Sequence, residues 1–302
     1  MCPRGGRFFV DWMYGLMELK PPTTFADQVN KLRSRNCIIE NDSECIRFLE
    51  QVNYYRFSAY FLPFKQKDGF YIAGTSFRKI QRIYEFDQKM RILIIGALED
   101  IELHLRTQFA YYYTHTYGSD GYLNKENFRP NYNHEKFIKL MNSQIHKHKE
   151  TLVVKHHTNK YDSIYPMWVV IEMLPLGMLS RLYQGFKMAD QKAIAEIYNV
   201  PYVVLKSWLQ CITELRNICA HYGRLYYWRF TSVPAIPKNS ISKIVPGRSL
   251  FDQMVMLQRI YPDKKKRKSR IFGGLWALLE EYKDDIDLSH TGFPNDWGLY
   301  LA

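Results

Sequence analysis

Apolar residues recur at three- and four-residue steps along most of the chain, and strictly alternating runs are scarce. That periodicity predicts amphipathic helices packed on one another, an all-α protein. The longest helix is expected over Phe77–Tyr113. There Ile83, Phe86, Met90, Leu93, Ile94, Ala97, Ile101, Leu105 and Phe109 trace one apolar stripe. Shorter helices are expected over Phe25–Arg35, capped by Thr24 with Asp27 three residues on, and over Ser43–Asn53, capped by Asp42. Tyr54–Phe64 is aromatic-dense and expected in the core. Lys65–Ser76 is expected to be a loop. Phe128–Thr151 should hold a helix, and Pro166 should open another through Trp168, Ile171 and Leu174. Further helices are expected over Leu179–Phe186, Ala189–Tyr198, Pro201–Tyr222, Ser249–Tyr261 and Ile271–Lys283, with a loop over Pro234–Pro246. Residues 1–19 read as an N-terminal extension set off by Pro21-Pro22. No repeat or linker composition divides residues 20–302, which are expected to form a single helical domain.

Composition narrows the class. Hydrophobic residues make up 46% of the 302, too many for a disordered chain. The longest mostly apolar stretch, Met90 to Leu98, falls far short of the roughly 20 residues a membrane helix needs. No secretory leader is evident. The five cysteines are odd in number and lack CxxC spacing, which argues against a disulfide scaffold or zinc ribbon and for a reducing cytoplasm. A net charge of +12 and a pI near 9.3 favour a polyanionic partner, nucleic acid before an anionic membrane. The 23 tyrosines include rings able to stack on bases, although most should pack internally.

The most informative segment runs from Glu214 to His221. On an ideal helix, Leu205, Trp208, Ile212, Leu215, Cys219 and Tyr222 share one buried face. Gln210, Glu214, Asn217, His221 and Arg224 share the opposite face, within about 80°. Arg216 lies on the flank, about 140° from His221. The polar face carries what phosphodiester cleavage needs. A histidine moves protons near neutral pH, an arginine holds a phosphate and offsets growing charge, and an asparagine orients either. With RNA the 2′-hydroxyl is the nucleophile, so no metal or cofactor is required. The same face also reads as an ordinary solvated surface, with Glu214 paired to Arg216 or a neighbour. Spacing alone does not choose between the two.

Longer stretches point further. Leu215-Arg216-Asn217-Ile218-Cys219-Ala220-His221-Tyr222-Gly223-Arg224-Leu225-Tyr226 resembles the signature of the Abi-like family of bacterial abortive-infection proteins, AbiD/AbiF type. Lys20-Pro21-Pro22-Thr23-Thr24-Phe25 resembles that family's opening, and Asn53-Tyr54-Tyr55-Arg56 its aromatic block. Tyr84 through Gln108, Tyr165 through Trp168, and Gly292 through Trp297 resemble its later landmarks, in order. The family is placed in the HEPN superfamily of helical ribonucleases. The resemblance implies a HEPN-like helical bundle with additional helices. It implies a metal-independent endoribonuclease toxin of phage defence in the bacterial cytoplasm, leaving 2′,3′-cyclic phosphate and 5′-hydroxyl ends. Arg216, Asn217 and His221 take the catalytic positions. A homodimer with a composite site is implied, since this chain carries one clear motif, as is a small-RNA or protein antitoxin. A non-catalytic RNA-binding HEPN module is the alternative. A separate nucleotidyltransferase acting on Tyr222 is disfavoured by that residue's place on the apolar face.

Other groups are weighed beside these. Glu214, Arg224, Glu99, Glu102 and Arg106 are candidate supports of the site, although Glu102 and Arg106 also fit an intrahelical ion pair. Lys264, Lys265, Lys266, Arg267 and Lys268 form a basic run that fits RNA backbone, or a merely solvated loop. His146, His148, His156 and His157 lie among lysines, which opposes a metal site. Cys219 is expected in the core and not as a nucleophile.

Overall fold

The computed structural model describes residues 21–237 and 247–301. The expected extension over 1–19 and most of the Pro234–Pro246 loop lie outside the described residues. The architecture is all-α, and among the described residues extended pairing is confined to isolated bridges such as Phe128 with Phe186. The chain divides into two compact units, one through Ile80 and one from Gln81.

The first unit holds α1 (Phe25–Arg33), α2 (Asp42–Gln51), α3 (Tyr54–Ser58) and a 3-10 turn over Ala59–Phe64. Thr24 caps α1 in a reciprocal capping box with Asp27, as the sequence predicts. The cap of α2 is Asn41, one residue before the expected Asp42. The Asn41 side chain accepts the Glu44 N–H and leaves Asp42 in the first turn, where its charge suits the helix dipole. Phe57 anchors the core, with edge contacts to the Phe48 and Phe61 rings. Tyr60, Phe61 and Phe64 are buried beside it, while Tyr55 points to solvent.

α4 (Phe77–Tyr117) begins in the first unit and runs into the second. Its stripe is buried at Ile83, Phe86, Met90, Ile94, Ala97, Ile101, Leu105 and Phe109. The helix outruns the expected Tyr113 because the next left-handed glycine is Gly118, whose N–H closes on the Thr114 carbonyl.

The second unit continues with α5 (His134–Lys147), α6 (Leu152–Lys160), α7 (Met167–Met173), α8 (Leu176–Gly185), α9 (Met188–Glu196) and α10 (Tyr202–Ala220). Then come α11 (Leu250–Ile260), α12 (Lys264–Arg267) with a π-turn over Lys268–Gly273, α13 (Gly274–Glu281) and α14 (Gly298–Leu301). Pro166, Pro175 and Pro201 stand at the N-caps of α7, α8 and α10, where a missing N–H costs nothing. α10 packs against α8, α9 and α11. It buries Leu205, Trp208, Leu209, Ile212, Leu215 and Cys219.

Trp208 locks this packing. It is 1% exposed and its indole N–H donates to the Ala235 carbonyl at 2.8 Å. Trp208→Ala should therefore cost about 3–5 kcal/mol in urea unfolding, through the cavity it leaves. Trp208→Phe should cost less, but still about 1–3 kcal/mol, because the Ala235 carbonyl loses its donor.

Candidate active site at the end of α10

The motif sits where α10 stops. The last helical residue is Ala220 and His221 is the C-cap, its N–H on the Asn217 carbonyl at 3.0 Å. The Tyr222 N–H then reaches the Cys219 carbonyl at 3.2 Å, and the Gly223 N–H reaches Ile218 at 2.7 Å. These crossed bonds form a Schellman ending, with Tyr222 in the left-handed region at φ 58°. Gly223 is required by close approach: a Cβ there would lie 2.8 Å from Ile218 Cγ2 and 3.0 Å from its carbonyl oxygen.

Asn217 and His221 are exposed, and Arg216 and Arg224 are half-buried. The polar face is therefore at the surface, as the helical spacing predicts. Tyr222 corrects that spacing. Helical spacing predicts it on the buried face, but it is 70% exposed, because the chain has already left the helix and turned outward. The burial that disfavoured chemistry at Tyr222 is absent. Cys219 is buried beneath the motif, and desolvation, followed by the nearby Asp87 charge, pushes its thiol up to about 12. It stays protonated and packs as core.

The segment after His221 is held by two residues of α4 that the motif reading missed. Asp87 is wholly buried and accepts the Leu225 N–H at 3.0 Å and the Tyr226 N–H at 2.7 Å. Arg91, one turn on, pairs with Asp87 and donates to the Gly223 carbonyl at 3.2 Å. The pair thus grips residues 223–226 from both hydrogen-bonding directions. A signal for it was present. Asp87 lies between Ile83 and Met90 at the spacing of the apolar stripe, where a charge must find a partner.

Further along, Tyr226 is buried and its hydroxyl lies 2.7 Å from His290 Nδ1, while the Tyr227 N–H donates to the His290 carbonyl. Glu214 serves the same stretch. Its carboxylate accepts the N–H groups of Thr231 and Ser232, both at 2.7 Å. Burial acts to raise the Glu214 carboxyl, but these donors outweigh it and hold the group below its ordinary value. Glu214 therefore anchors the chain that follows the motif.

The other candidates lie elsewhere. Arg106 donates to Glu102 and to the Ile171 carbonyl near the end of α7. The pair lies on α4 more than about 15 Å along the axis from Arg91, at the level where His104 meets Tyr198 ahead of α10. It is not brought to His221. Glu99 is exposed on α4. The basic run is helical over Lys264–Arg267, with the Lys265 and Lys266 N–H groups on Asp263 Oδ1. His157 is buried against Tyr165, and His148 turns back to the Gln144 carbonyl. Among the described residues no group of His, Cys, Asp and Glu is arranged to hold a metal ion, and no helix is long and apolar enough to cross a membrane.

The family model described as "Abi-like protein" matches residues 47–227, a span that takes in the Asp87–Arg91 grip and ends just beyond Tyr226. No curated protein and no solved structure matches the chain.

Two outcomes follow from this geometry. Asp87→Ala leaves Arg91 buried without its carboxylate and strips the acceptor from two N–H groups. It should cost about 3–5 kcal/mol in denaturant unfolding, and amide exchange should rise at residues 223–226. Glu214, with its lowered folded value, contributes stability above the ordinary glutamate range, and that contribution is lost as pH falls through the folded value. The stability gap between wild type and Glu214→Gln should therefore be flat near neutrality and shrink on acidification, followed by thermal unfolding across pH.

Proposed function

The chain belongs to the Abi-like protein family, and from that premise we propose that it is an endoribonuclease toxin of HEPN type whose active site is the exposed end of α10. Family membership itself points to abortive-infection phage defence. One observation carries the finer reading. His221 is a solvent-exposed imidazole on a fixed C-cap, with Asn217 one turn before it and Arg216 on the flank.

In this mechanism the RNA 2′-hydroxyl attacks the adjacent phosphorus. His221 takes the hydroxyl proton or delivers one to the departing 5′-oxygen. The Arg216 guanidinium holds the equatorial oxygens as charge gathers on them. Asn217 hydrogen-bonds the phosphate or the imidazole and sets its angle. The products carry 2′,3′-cyclic phosphate and 5′-hydroxyl ends, and no metal takes part in the step.

The azimuth between Arg216 and His221 on α10, about 140°, favours a composite site. In a homodimer each His221 would work with the Arg216 of the second copy. The net charge of +12 supplies the attraction for RNA, and the basic run Lys264–Lys268 is a candidate track for its backbone. An inhibitor, RNA or protein, would hold the toxin in check until infection.

Paired expression of wild type and His221→Ala in a bacterial host tests the reading. Wild type should arrest growth and yield RNA fragments with 5′-hydroxyl ends. The variant should lose about 10²–10⁴-fold of the cleavage rate, the share a general acid–base contributes. Purified protein should cleave undiminished in EDTA. Arrest that persists in the variant would move the assignment to non-catalytic RNA binding, and 5′-phosphate ends would refute the 2′-hydroxyl mechanism.

A further inference from the structure

Arg129, Pro130, Asn131 and Tyr132 make a tight turn between α4 and α5, with the Tyr132 N–H on the Arg129 carbonyl at 3.0 Å. Pro130 stands at the second position, where its fixed φ suits the turn. The turn is tied to α8. The Arg129 N–H donates to the Gly185 carbonyl at 2.9 Å, and Phe128 bridges to Phe186. The Tyr132 ring stacks on Phe128, with centroids 5.3 Å apart, and rests its tip on Gly185. A Cβ at Gly185 would lie 2.6 Å from Tyr132 Cζ, so this close approach requires the glycine. Arg181 stands one turn earlier on α8.

Three donor groups thus meet where the turn packs on α8, and the fold supplies no acceptor to match them. The Tyr132 hydroxyl is closed to solvent and has no hydrogen-bond partner among the described residues. A buried hydroxyl left unpaired is destabilising. Burial pushes the phenol up, and the Arg181 and Arg129 charges act against that. Both arginines are exposed, and among the described residues neither has a carboxylate partner. Asp190, the buried carboxylate of α9, already takes the Tyr112 and Tyr117 hydroxyls at 2.9 and 2.8 Å. Guanidinium groups only donate, and two of them side by side repel unless an anion lies between.

The donor set selects the anion. A carboxylate offers two oxygens in one plane, which suits a single guanidinium fork. A phosphoryl group offers three or more oxygens in different directions, enough for both forks and the hydroxyl. The arginine side chains are long, so they can turn to close on an anion seated against Tyr132. The place is remote from His221. The Tyr183 hydroxyl reaches the Tyr202 carbonyl, which sets the end of α8 beside the start of α10. His221 lies at the far end of that 19-residue helix, about 28 Å along its axis.

We propose that Arg129, Arg181 and the Tyr132 hydroxyl form a phosphoryl-binding site separate from the end of α10. The bound group belongs to a small phosphate compound or to a polynucleotide backbone, which share this chemistry. The proposal does not rest on the ribonuclease reading.

The test titrates the whole chain with inorganic phosphate by calorimetry. Arg129→Gln and Arg181→Gln should each weaken binding about tenfold or more, the loss of a charge-assisted contact. Tyr132→Phe should weaken it about threefold to tenfold and melt at the same temperature or higher, since it removes only an unpaired hydroxyl. Arg78→Gln takes the same charge from another exposed position and should leave binding unchanged. Acetate should bind far more weakly than phosphate. A fluorescein-labelled oligoribonucleotide on a His221→Ala background then separates the two carriers. A parallel loss of its affinity in the arginine variants would support a polynucleotide backbone, and unchanged affinity a small phosphate compound. Absence of phosphate binding to wild type, or equal binding by wild type and Tyr132→Phe, would overturn the site. A loss in Arg78→Gln as large as in Arg129→Gln would overturn it in favour of general charge, and equal binding of acetate would overturn the phosphoryl assignment. His221-dependent cleavage is read separately, so either reading can fail while the other stands.

Discussion

A carboxylate with no access to water sits in the apolar stripe of the longest helix, and the shape of the motif depends on it. Taking the Asp87 charge out of solvent costs several kcal/mol, and even its ion pair with Arg91 gives back that cost only when the remaining lone pairs are filled. Here they are filled by the Leu225 and Tyr226 N–H groups, and Arg91 uses a further donor on the Gly223 carbonyl. A leucine in place of Asp87 would bury as well, but it would hold nothing. The charged pair fixes backbone, and the backbone it fixes is the stretch leaving the candidate site.

The grip and the helix ending act on the same few residues from opposite sides. The Schellman bonds end α10 at His221, and the ion pair receives the chain two residues later. Between them Tyr222 is held in the left-handed region, where glycine is the ordinary choice. Glu214 repeats the device one step on, trading a surface ion pair for two backbone N–H donors at Thr231 and Ser232. The polar side chains around the motif therefore divide into two kinds. Asp87, Arg91 and Glu214 spend their hydrogen bonds on the protein. Asn217 and His221 face solvent, and in the proposed mechanism they spend theirs on RNA.

Much of this was legible in the sequence. The period of the apolar residues located the helices, since a helix that buries one side must repeat every three to four positions. It also placed Asn217 and His221 outward, because the opposite face was filled with Trp208, Ile212 and Leu215. It failed at the ends of elements. Tyr222 follows Cys219 at helical spacing, yet it is not in a helix, and Asn41 took the cap from Asp42. Periodicity describes residues inside a helix and says nothing about which carbonyl the chain will turn back to meet.

The sequence by itself determined the all-α class, the basic character, the polar end of α10 and the resemblance to a family, since each rests on local spacing or on composition. Tertiary structure decided what each charge does. It set Asp87 against backbone 138 positions later in the chain, carried Glu102 and Arg106 away to the Ile171 carbonyl, and turned Tyr222 into solvent. A buried charge must find its partner wherever packing provides one, and no local pattern encodes a contact made across so many intervening residues.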